Sequence, residues 1–182
     1  MSEADDRSRF EAMFRATYDR VLAYALRRTD KGDAEDVVAE TYATAWRRFE
    51  IVPADPLPWL YAVARRTLAN ARRSGRRRTQ LASRLAAELH PWAVVESDPS
   101  EQLEDASLMR AALGGLSMSD REALMLVAWE GLDNDRASLV LGVSSRAFAV
   151  RLHRARRRLE VEVQRISAKP VLEDRASRGE ER

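Results

Sequence analysis

GLDNDRASLVLGVSSRAFAVRLHRARRRL, residues 131–159, is the stretch whose reading decides the fold. Asp133 to Leu141, then Gly142, then Ser144 onward spell helix, tight turn, helix. A helix-turn-helix needs a small residue where its helices cross and a turn residue that tolerates left-handed backbone; Ser138 and Gly142, four apart, meet both needs. In the second helix Phe148, Leu152, Ala155 and Leu159 form one stripe that must pack inward. Opposite lie Arg146, Val150, His153 and Arg157, flanked by Ala149, Arg154 and Arg156. A DNA major groove admits one such helix, with side chains of this reach meeting base edges and phosphates. An ordinary helical hairpin with a charged outer face fits the same pattern, so spacing alone leaves both open.

Upstream, Ser119 with Glu122 three residues later matches a capping box. It opens a helix through Leu124, Leu126, Val127 and Trp129, ended by Gly131-Leu132. Ser100 is positioned to cap an earlier helix using Leu103, Ala106, Met109, Ala112, Leu113 and Leu116. His90 to Ser100 carries two prolines and several acids and reads as a linker. Towards the N-terminus, Phe10, Met13, Phe14, Thr17, Val21, Leu22 and Ala25 predict an amphipathic helix over 8–28, broken at Thr29 to Gly32. Asp33 is the expected N-cap of a second helix, with Glu35 and Asp36 in its first turn, where the helix dipole favours anions. Val37, Val38, Thr41, Tyr42, Ala45, Trp46 and Phe49 form its apolar face. Three prolines make Ile51 to Pro58 a loop. A third helix over 58–73 has Leu60, Val63, Ala64, Thr67, Leu68 and Ala71 on one side and Arg65, Arg66, Arg72 and Arg73 on the other. After Ser74-Gly75 come an arginine triplet and a segment with Leu81, Leu85 and Leu89 at helical spacing. The polar tail from about 166 to 182, interrupted by Pro170, is expected to be disordered.

Composition agrees with an all-α chain. Among 182 residues there are only 7 Gly and 6 Pro, while 45% are hydrophobic, enough to build real cores. There is no Cys, so disulfides, thiolate nucleophiles and cysteine metal sites are excluded. No apolar run reaches the length of a membrane span, and the acidic start MSEADDRSRF does not form a signal peptide, so cytoplasmic residence is expected. The net charge of +2 is small, but arginines concentrate between 65 and 84 and between 146 and 165. Arginine grips phosphate bidentately where lysine acts as a point charge. Two arginine clusters fit two contacts with a polyanion, and equally two solvated faces.

Catalysis finds no support. His153 lies among arginines, and His90 lies beside a proline; neither neighbours a nucleophile or carboxylate in a catalytic pattern. Two histidines without cysteine make a poor zinc site, and the acids of 33–40 lack the glycine-bearing loop of a calcium site. No metal and no cofactor is expected. Trp46, Trp59 and Tyr61 adjoin the basic third helix, and aromatics beside arginines are what single-stranded nucleic acid needs. Trp46 is expected in the core; Trp59 fits either role.

Taken together the segments resemble the extracytoplasmic-function sigma factors. The matching motifs are Asp33-Ala34-Glu35-Asp36-Val37-Val38-Ala39-Glu40 through Trp46; Pro58-Trp59-Leu60-Tyr61-Ala62-Val63-Ala64-Arg65 with the arginines that follow; and Leu116 to Leu159, with Arg121-Glu122, Glu130-Gly131-Leu132, Leu141-Gly142-Val143-Ser144 and Arg151-Leu152-His153-Arg154-Ala155-Arg156. The resemblance covers about residues 8 to 165, with all motifs in family order. It implies an all-α protein of two small helical domains joined by a flexible linker: a region-two domain over 8–90, an acidic linker over 91–102 and a region-four helix-turn-helix domain over 103–165.

The implied function is promoter recognition and DNA opening as a subunit of RNA polymerase, with the polymerase performing the chemistry. Region two would dock on core RNA polymerase through Asp36 and Glu40. The loop from Glu50 to Pro58 and the third helix would read the minus-ten element, with Trp59, Tyr61, Arg65, Arg66, Asn70, Arg72 and Arg73 as candidate contacts. Region four would read the minus-thirty-five element through Ser145, Arg146, Ala149, Val150, His153, Arg154 and Arg157. Members of this family are commonly clamped by an anti-sigma factor, which makes such a partner plausible here. A degenerate member, or a helix-turn-helix regulator acting without promoter melting, is the alternative.

The sequence also departs from the family. Ala39 replaces the usual Gln, Arg66 and Asn70 stand where Asn and Asp are frequent, and Ala137-Ser138 replaces a common Ile-Ala pair. Ala147, Ala149 and Val150 occupy positions typically polar or basic, which predicts weak or unusual minus-thirty-five readout.

Overall fold

In a computed structural model, the backbone is described for residues 3–82 and 102–179 and the side chains for 4–73 and 107–168. Among the described residues there are seven α-helices and no strand: α1 (Glu3–Leu26), α2 (Lys31–Arg47), α3 (Leu57–Ala82), α4 (Gln102–Gly114), α5 (Met118–Ala128), α6 (Asn134–Leu141) and α7 (Ser145–Gly179), with one short 3-10 turn over Phe49–Ile51. The all-α expectation is met. The chain divides into two compact units, one carrying α1–α3 and the other α4, α5 and α7 with α6 as far as Ser138.

In the first unit α1, α2 and α3 pack on one another. Tyr24 and Tyr61 are fully buried and stack with ring centroids 4.7 Å apart. The Arg28 guanidinium lies 3.5 Å over the Tyr24 ring and donates to the Tyr24 carbonyl at 2.8 Å. Such a buried cation is tolerable because ring and carbonyl together replace its water. A second aromatic layer joins Phe10, Phe14 and Tyr18 of α1 to Tyr42 and Trp46 of α2. The Thr17 hydroxyl meets the Tyr42 phenol at 2.8 Å. Burial pushes that phenol up to about 12 against the modest opposing effect of Thr17.

Two helix starts lie elsewhere than the sequence predicts. Asp30, rather than Asp33, caps α2, its Oδ1 accepting the Asp33 N–H at 3.0 Å. Gly32 is cheap there because first-turn amides make no intrahelical bond. Ser117, rather than Ser119, caps α5, accepting from Asp120 N–H at 3.2 Å. In both cases the cap spacing repeats in overlapping register, and only one candidate lies where the chain turns. α3 begins with Leu57, Pro58 in its first turn losing no hydrogen bond, and runs through Ser74-Gly75 to Ala82. Its arginines favour helix strongly enough to outweigh one glycine. α7 likewise continues past Pro170 to Gly179, so the backbone of the stretch expected as an irregular tail is helical that far. The leucines at 85 and 89, His90 and the linker itself lie outside the described residues.

In the second unit α7 packs against α4 and α5 around Phe148, Leu126 and Met125. Buried Arg121 holds the end of α4. Its Nε donates to the Leu113 carbonyl at 2.7 Å, and its Nη2 to those of Gly114 at 2.9 Å and Leu116 at 3.2 Å. The Gly114 carbonyl is one that the helix end leaves orphaned, and the Leu113 carbonyl accepts from both Arg121 and the Leu116 N–H, at the negative pole of the helix dipole. Burial lowers the pKa of the guanidinium, which nonetheless stays charged.

Candidate nucleic-acid interfaces

On α3 the side chains sort by helical face. Arg66, Asn70 and Arg73 are exposed, and Arg73 Nη2 donates to Asn70 Oδ1 at 2.5 Å. Spaced by four and three residues, they form one outward line. Arg65 and Trp59 are half-buried. Tyr61 is a correction: its ring is 0% exposed and stacked within the core, so it belongs to the packing and not to a nucleic-acid surface. Arg72, exposed along its length, turns its Nη2 to the Arg28 carbonyl at 2.9 Å and so ties α3 to the end of α1. Trp46 corrects the other way. It is 41% exposed, edge-on to Phe10 at 5.0 Å, and with Phe49, Arg47, Arg48 and Ile51 it lines a cleft of about 530 Å³.

Asp36 and Glu40 are both exposed on α2. Glu40 accepts from Arg47 Nη2 at 2.7 Å and from the Thr44 hydroxyl at 3.2 Å. The hydrogen bonds from Arg47 and Thr44 hold its carboxyl below the usual range.

The helix-turn-helix is built as its sequence demands. Asp133 Oδ1 accepts the Arg136 N–H at 2.8 Å to open α6. Gly142, with φ 66°, makes the left-handed turn, and the Ser144 hydroxyl accepts the Ala147 N–H at 3.2 Å to open α7. Phe148, Leu152 and Ala155 are buried, and Leu159 is half-buried. Arg146, Val150, His153, Arg154 and Arg157 are exposed; Ser145 and Ala149 are half-buried. The inward and outward stripes of α7 therefore fall where the sequence puts them, and Val150, 45% exposed, leaves an apolar spot among the arginines.

Three charged residues beside this face escape a reading by periodicity. Asp120 in the first turn of α5 is buried, yet it accepts from the Ser117 hydroxyl at 2.8 Å and from Arg158 of α7. Burial alone raises the Asp120 carboxyl, but the bonds from Ser117 and Arg158, with Arg151 nearby, outweigh it and leave it below the usual range. Asp120 and Arg158, with Ser144, Arg146, Ala147, Val150, Arg151 and Arg154, line a cleft of about 520 Å³. An acid one step into a capping box was the only sequence signal, and it reads equally as a helix-dipole partner.

Comparison with known proteins agrees with this geometry. Residues 13–78 match the family described as Sigma-70 region 2, and residues 107–159 the family described as Sigma-70, region 4. The chain is 33% identical over 165 residues to the ECF RNA polymerase sigma factor SigL of Mycobacterium tuberculosis, covering 85% of this chain and 91% of the relative. To the ECF RNA polymerase sigma factor SigM of Bacillus subtilis it is 30% identical over 132 residues, covering 72% and 80%. In fold it is similar to the sigma factor RpoE of Bartonella quintana, solved in complex with the anti-sigma factor NepR, with a TM-score of 0.67 at 23% identity, covering 85% of this chain and 96% of that one. Among the described residues no helix is long and apolar enough to cross a membrane. Two family matches in order, with a relative matched over nearly its whole length, place the chain among the extracytoplasmic-function sigma factors of RNA polymerase, and it belongs to that family.

Proposed function

We propose that the two units of this sigma factor divide promoter recognition between them. The chain directs RNA polymerase to promoters and takes part in opening them. The first unit, residues 8–90, rides on core polymerase through the exposed acids Asp36 and Glu40 of α2. Its outward line Arg66, Asn70 and Arg73, with Trp59 and Arg65 beside it, follows the minus-ten strand as the duplex opens. Unstacking a base costs about a few kcal/mol, which guanidinium contacts to the freed strand and the polymerase together offset. The second unit, residues 103–165, lays α7 in the major groove of the minus-thirty-five element. There Arg146, His153, Arg154 and Arg157 meet bases and phosphates, while Ser145, Ala149 and Val150 complete the surface. An acidic linker over 91–102 joins the two. The chemistry of transcription belongs to the polymerase, in the cytoplasm, and an anti-sigma partner of the kind seen with RpoE of Bartonella quintana regulates access.

The observation that carries this reading is the outward stripe of α7, arginine-rich and free of packing duty, on a helix-turn-helix whose turn glycine has the required φ of 66°. In vitro transcription with core polymerase tests it. Transcripts are expected only when both are present, and Ala149→Lys should raise promoter affinity about threefold at low salt and steepen the salt slope by about one. No affinity for core polymerase and no polymerase-dependent opening at low salt would overturn it.

A further inference from the structure

α7 carries two neighbouring basic stripes, and base readout as proposed uses the first and, of the second, Arg154 alone. At 100° per residue, Arg146, Val150, His153 and Arg157 make the first. Ala147, Arg151, Arg154 and Arg158 make the second, lining the cleft of about 520 Å³ towards the start of α5. The same cleft is lined by four arginines and a single carboxylate, that of Asp120, which Arg158 grips. Asp120 is 4% exposed, whereas the Arg158 side chain it grips is 60% exposed. Both the Ser117 hydroxyl and Arg158 reach the same oxygen, Oδ2. A buried carboxylate tied to the cap of its own helix is a fixed point, and the exposed Arg158 side chain is hooked to it.

Resting on the minus-thirty-five reading above, we infer that Asp120 is a positioning residue for promoter discrimination: through Arg158 it fixes the roll of α7 about its axis and draws one arginine away from the DNA backbone. Two effects of opposite sign follow. Affinity for any duplex comes from cations that neutralise phosphates, so a carboxylate among them lowers it. Discrimination between sequences comes from the angle at which a few side chains meet base edges, so a fixed roll raises it. Asp120 thus exchanges general affinity for specificity.

The experiment uses the full chain, with and without core polymerase, on duplexes carrying an intact or a scrambled minus-thirty-five element. Asp120→Asn, nearly isosteric, should raise affinity for the scrambled duplex about threefold at low salt while reducing the intact-to-scrambled ratio about tenfold. Arg158→Gln, at an exposed position, should lower scrambled-duplex affinity yet reduce the ratio to a similar extent. The double variant should lose no more discrimination than either single one, because both act through one contact. Ser117→Ala removes the cap but leaves the Arg158 contact, and should lower thermal stability with the ratio within about twofold of the parent. A merely structural Asp120 would lower both affinities in step with stability, and either that result or additive losses would overturn the inference. If the parent chain discriminates and both single variants keep its ratio, this inference alone fails. If the parent itself ignores the minus-thirty-five element, the reading beneath falls and takes this inference with it.

Discussion

The two units hold themselves together by different physics. In the first, the helices meet rings on rings: Tyr24 on Tyr61, Phe10 on Trp46, Phe14 on Tyr42, with hydroxyls such as Thr17 and Tyr42 satisfying one another. In the second, Phe148 is the only buried aromatic among the described residues, and charged groups tie the helices. Arg121 closes the end of α4, and Asp120 joins α5 to α7. Aromatic packing responds little to salt or pH, whereas a carboxylate that must stay ionised responds directly. On the proposed division of roles, the unit set against opening DNA rests on dispersion and burial, and the one set in the duplex groove rests on charge.

That contrast can be broken most forcefully from the aromatic side. Tyr61→Ala should cost the first unit about 4 kcal/mol, since a fully buried ring leaves a cavity among helices that cannot close over it. Hydrogen exchange resolved by unit should show the loss in α1–α3, with α5 and α7 unchanged. Melting of promoters should fail through unfolding, with no selective change in minus-ten preference.

From the charged side, Arg121→Met should cost the second unit about 3 kcal/mol, because the carbonyls of Gly114 and Leu116 lose their donor inside the protein and that of Leu113 keeps only the Leu116 N–H. Here exchange should rise in α4 and α5 first. Equal losses in both units would mean they do not unfold separately.

The smaller effect is pH, and it acts at opposite ends of the scale. The Asp120 carboxyl is held below its ordinary value of 3.8, so its stabilisation is present above that pH and disappears as pH falls through the lowered folded value. The Tyr42 phenol is pushed up to about 12 from 10.0, so the first unit keeps its full stability below pH 10 and loses part as pH rises towards 12. Denaturation followed across pH should find the second unit weaker in acid and the first weaker in alkali. Asp120→Asn should flatten the acid limb and Tyr42→Phe the alkaline one.

Much of this could be read from residue order. The stripes Phe148, Leu152, Ala155 against Arg146, His153, Arg157 follow from 3.6-residue periodicity, and the turn at Gly142 follows from a backbone angle glycine adopts without strain. The same periodicity located α3 and its arginines. It misplaced two caps by two or three residues because cap spacings overlap, and it misjudged Tyr61 and Trp46 in opposite directions. Aromatic rings suit both a core and a stacking surface, and their type does not say which.

Residue order alone determined the helices, the two-unit plan and the family, because each rests on local spacing and on side-chain chemistry legible one segment at a time. Only the tertiary structure decided which polar and aromatic groups are buried and with whom. Arg72 meets Arg28 across 44 residues, and Asp120 meets Arg158 across 38. Such pairings depend on how helices cross, and a burial pattern along one helix carries no information about which side chain arrives from another.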